Sequence, residues 1–72
     1  MDNESLLKKL EVLLQYWIDH NNEHGEEFKD WASRIREMEK RDISEDILEA
    51  VKSIEDANRY LYKALEALKS ER

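Results

Sequence analysis

In the first half of the chain, apolar residues recur at steps of three and four: Leu6, Leu10, Leu13 and Trp17, then Phe28, Trp31, Ile35 and Met38. That spacing marks a helix with one buried face. Between Trp17 and Phe28 the phase continues through Asn21 and His24, so the pattern predicts one unbroken helix over residues 4–39. Residues 39–44, EKRDIS, hold one apolar side chain, Ile43, and predict the turn. Ser44 reads as an N-cap, Glu45 and Asp46 place negative charge in the first turn, and Ile43 can staple onto Leu48. A second helix over 45–70 then carries Ile47, Val51, Ile54, Asn58, Leu61, Leu65 and Leu68 at the same steps.

The fold class expected is all-α: an antiparallel helical hairpin in a single domain, residues 1–72, paired into a dimeric bundle. On these boundaries the first helix outruns the second by roughly ten residues, or ~15 Å, so its N-terminal leucines need a second subunit. Leu6, Leu7, Leu10, Leu13, Leu14, Trp17 and Ile18 form a face wider than a two-helix seam. The alternative is a monomeric three-helix bundle with a break near Asn21, where Asn21 or Asn22 caps a new helix and Gly25 weakens the old one by ~1 kcal/mol.

Composition agrees with helix and narrows function. There is no proline, one glycine and no cysteine in 72 residues, so disulfides and thiolate metal sites are absent. A chain this short has a marginal core unless a metal or partner adds to it. The net charge of −6 and the alternation of acids with bases give no footprint for phosphate backbones or anionic membranes, so neither nucleic acid nor membrane is expected as a partner. The opening MDNESLLKKLEVLLQYW lacks the uninterrupted apolar core of a signal peptide, and a cytoplasmic location is expected.

The polar interruption carries the candidate chemistry. Folding the chain back at 40–44 pairs positions whose numbers sum to about 85, which sets Asn58 and Tyr62 opposite His24 and Glu27. One reading is a polar core layer of Asn21, His24, Asn58 and Tyr62 that fixes register and oligomeric state. The other is a metal site. His20 and His24, four apart, can reach one ion, and Glu27 or Glu23 can add oxygen, a donor set suited to Zn, Ni or Co. A twofold axis could complete the set from a second chain.

Catalytic patterns do not fit. Asn21 follows His20, so HExxH is absent; the order His20-x-x-Glu23 and His24-x-x-Glu27 reverses the Glu-x-x-His of di-iron bundles; no serine has a histidine placed to activate it.

The stretch WIDHNNEHGEEFKDWA, residues 17–32, resembles a W-I-x-H-N-x-E-H-x-E-E-F-x-x-W-A pattern in small helical domains of unknown function from archaea and bacteria. The likeness extends more loosely through ANRYLYKALEAL at 57–68. The resemblance implies a compact helical hairpin with a histidine pair at His20 and His24 and an association with metal handling; no activity comes with it. Gly25 stands where such sequences often have alanine. The function expected is an interaction or oligomerisation module without catalytic activity, forming a homodimer or docking on a protein partner. A transition-metal-binding domain using His20 and His24 is the second reading.

Overall fold

A computed structural model describes residues 2–71. Helix α1 spans Asn3–Glu37 and helix α2 spans Arg41–Ser70, folded back on each other as an antiparallel hairpin. Asp2 caps α1 by accepting a hydrogen bond from the Ser5 amide (2.7 Å). Helix α1 runs unbroken through Asn21 and Gly25, so the three-helix alternative does not hold.

The turn is tighter than the sequence suggests. Glu39 takes a left-handed conformation (φ 63°). Its amide donates to the Arg36 carbonyl (2.9 Å) and that of Lys40 to Ile35 (3.2 Å). These are the two bonds of a Schellman motif, with glutamate where glycine is usual. Because the reversal is complete by Lys40, residues 41–44 already belong to α2, and Ser44 is not the N-cap. It is buried one turn in, where its hydroxyl donates to the Ala32 carbonyl (2.8 Å). Ile43 is exposed rather than stapled.

The earlier turn slides the pairing by about one heptad. Residue numbers joined by the Ala32–Ser44, Ile18–Asn58, Asn21–Asn58 and Asn22–Asn58 bonds sum to 76–80, not 85. Helix α1 is 35 residues long against 30 for α2, half the predicted overhang.

The buried face of α1 also differs from the predicted stripe. Leu14, Ile18, Gly25 and Ala32 are buried, with Leu7, Asn21, Phe28 and Ile35 half-buried between them. They meet Ser44, Val51, Asn58, Leu65 and Leu68 of α2. Leu14, Ile18, Leu65 and Leu68 form the main cluster, flanked by Leu7 and Leu61. Leu6, Leu10, Leu13, Trp17, Trp31 and Met38 are exposed instead. Helix α1 thus carries two seams of three-and-four spacing, offset by one residue, and α2 can cover only one. The seam chosen sets Asn21 against Asn58 and Ala32 against Ser44.

The result is a rod of 54 × 16 × 14 Å with a radius of gyration of 16.5 Å, against about 11 Å for a compact chain of this length. Among the described residues no helix is long and apolar enough to cross a membrane.

Candidate functional site

Two polar constellations lie at mid-height of α1, on different sides of it. The first is a layer inside the hairpin. Asn58, 6% exposed, accepts from the Asn21 side-chain amide (2.9 Å). Its own amide donates to the Asn22 side-chain oxygen (3.0 Å) and to the Ile18 main-chain carbonyl (3.2 Å). Both amide protons and the carbonyl of Asn58 are therefore used, as a buried amide requires.

This layer has different members from those predicted. Asn21 and Asn58 meet as expected. His24 and Tyr62 do not take part: His24 points outward from the hairpin, and Tyr62, 48% exposed, edges an open hollow on the Asn22 side. The slide moves Asn58 from opposite Glu27 to opposite Asn21 and Asn22, and the choice of seam leaves His24 on the uncovered face. Asn22 was missed because it lies off the predicted stripe. The tandem Asn21-Asn22 was the available signal.

The second constellation is the histidine pair. His20 and His24 are successive rungs of an aromatic ladder with four-residue spacing. Tyr16 stacks on His20 (5.5 Å, 13°), His20 meets His24 edge-on (4.4 Å, 82°), and His24 leans toward Phe28 (6.1 Å). The Nε2 atoms of the two imidazoles are 3.0 Å apart, so one must carry the hydrogen that the other accepts. Nδ1 of His24 lies 3.8 Å from the Glu27 carboxylate.

Two imidazole nitrogens 3.0 Å apart at the exposed face of α1 are close enough to share one ion. At metal–nitrogen distances of about 2.05 Å they would subtend roughly 94° at an ion, near the right angle of octahedral or tetragonal coordination. Glu27 stands behind the Nδ1 face of His24, the place of a carboxylate that orients a ligating imidazole rather than of a ligand. Glu23 is exposed and does not join the pair. Among the described residues no group of three or more His, Cys, Asp or Glu side chains is arranged around one ion, so a single chain supplies the two imidazoles without a third donor.

Other charges are ordinary surface pairs. Lys29 bridges Glu26 and Glu55, tying the helices on the Asn22 side (3.7 and 3.8 Å). Lys52 and Arg59 pair with Glu49 and Asp56, three residues back. The Glu49 hydrogen bond and charge hold the Lys52 ammonium above its usual range, fully in solvent.

Comparison with known proteins supports a small domain of unknown function. The chain is 33% identical over 60 residues to an uncharacterised protein of Archaeoglobus fulgidus, an alignment that covers 83% of this chain and 95% of that protein. No solved structure matches it. A family model described as Domain of unknown function (DUF8180) matches residues 10–68, both helices and the histidine pair included, and the chain belongs to that family.

Proposed function

We propose that the protein is a non-enzymatic interaction and oligomerisation module that pairs with a second copy of itself to form a four-helix bundle. The observation that carries this reading is the uncovered apolar seam of α1: Leu6, Leu10, Leu13, Trp17, Trp31 and Met38, all exposed. Lone apolar side chains on a surface are ordinary, but a periodic row along a whole helix marks an interface. The accessible surface of 5796 Å² exceeds by roughly 1,000 Å² the ~4,700 Å² of a compact monomer of this mass. Two copies covering that excess would bury ~2,000 Å², the scale of a permanent homodimer.

A non-catalytic role is supported by the commitments of the polar groups: the two imidazoles bond each other, and the buried Ser44 hydroxyl is held by Ala32. The proposal keeps the cytoplasmic location expected from the sequence. Sedimentation at micromolar concentration tests it. The expected species has twice the chain mass of 8.7 kDa, and a single 8.7 kDa species would sink the reading. One observation favours a second activity, binding of Ni, Co or Zn: the 3.0 Å convergence of His20 and His24 at the surface.

A further inference from the structure

The uncovered seam of α1 does not end at Trp17 and resume at Trp31. Continued at the same steps it passes through His20, His24 and Glu27, which places the imidazole pair at its centre, with leucines on one side and Trp31 and Met38 on the other. The seam is on the side of the hairpin away from the Lys29–Glu55 bridge, and Ala57 and Ala64 of α2 are exposed.

A second copy can cover this face about a twofold axis in two ways. If α1 lay along the partner's α2, the two imidazoles would be buried against a helix with no histidine, where Ala57 and Ala64 are exposed and Ser53 offers one hydroxyl. If α1 lies antiparallel to the partner's α1, polar meets polar. Centring that pair on about residue 22 sets Leu6 against Met38, Leu13 against Trp31 and His20 against His24, in both directions at once, with Leu10 opposite Arg34 and Trp17 opposite Glu27.

We infer that the dimer pairs α1 with α1 in this register, and that the four imidazoles so gathered at the twofold axis form one transition-metal site shared by two chains. This rests on the dimer proposed above and supplies what one chain lacks, since each chain brings two converging nitrogens and no third ligand. Four neutral imidazoles suit a borderline divalent ion such as Ni²⁺ or Zn²⁺. The Glu27 carboxylates, 3.8 Å behind the His24 rings, offset the added charge from outside the ligand set.

The test is calorimetric titration of Ni²⁺ or Zn²⁺ into the full chain, with sedimentation in parallel. One ion per two chains is expected, and His20→Ala or His24→Ala should weaken binding by at least ~100-fold, more than loss of an outer-sphere partner costs. Both variants keep the helix and should remain dimeric without metal. A dimer that binds no ion, or binds one ion per chain, overturns the shared site and leaves the dimer standing. A chain that is monomeric alone but dimeric with half an equivalent of metal overturns the metal-free dimer and upholds the site. For the register, Leu13→Cys together with Trp31→Cys should form covalent dimers under diamide; cross-linking of Leu13→Cys alone would overturn it.

Discussion

The side-chain amide of Asn58 donates to the main-chain carbonyl of Ile18, 3.2 Å away, and so joins the middle of α2 to the backbone of α1 at Ile18, whose side chain is fully buried. With Asn21 and Asn22 completing its hydrogen bonds, Asn58 is satisfied in one register only. Asn58→Ala should therefore cost about 2 kcal/mol, within the usual range for lost buried hydrogen bonds. Thermal unfolding should fall by roughly 8–16 °C. Asn58→Leu should recover much of this, because Asn21 and Asn22 lie near enough to solvent to rehydrate. An alanine variant that melts with the wild type would show that the layer contributes nothing.

Glu39 sits in the left-handed region at the Schellman position, where a β-carbon costs about 1 kcal/mol and glycine does not. Glu39→Gly should stabilise the hairpin by up to about 0.6 kcal/mol, after the larger chain entropy of glycine in the unfolded state is subtracted. Denaturant unfolding with unchanged m-value is the measurement; a lower midpoint would refute the assignment of strain.

Gly25 is buried, yet a β-carbon there would meet nothing within 4 Å outside its own helix. Close helix approach is not what holds glycine at this position. Gly25→Ala should raise stability by about 1 kcal/mol through helix propensity. A loss of stability would mean that the helices draw together here when the dimer forms.

Leu13 and Trp31 are 43% and 52% exposed in the single hairpin and lie on the seam assigned to the partner. Leu13→Glu or Trp31→Glu should leave helicity intact and shift sedimentation toward the single chain, since each dimer would bury two new charges. Replacement of Val12, exposed but off the seam, should leave the dimer unchanged.

The sequence by itself determined helix content and the helical hairpin; continuity through Gly25 was settled by the structure. Steps of three and four, absence of proline and a single polar turn are local properties, and local properties are what periodicity reports. It also pointed to the elements of both polar sites, since Asn21, Asn58, His20 and His24 were all singled out. What it could not decide was which of two overlapping seams on α1 would face α2. Both have helical spacing, and the choice depends on the other helix: Asn58 needs amide partners, and the Ser44 hydroxyl needs the Ala32 carbonyl. Register likewise turned on Glu39, whose left-handed backbone has no glycine to announce it; ending the turn at Lys40 moved every pairing by a heptad. The choice of seam, not the slide, took His24 out of the core layer and left it, with His20, on the open face of the rod.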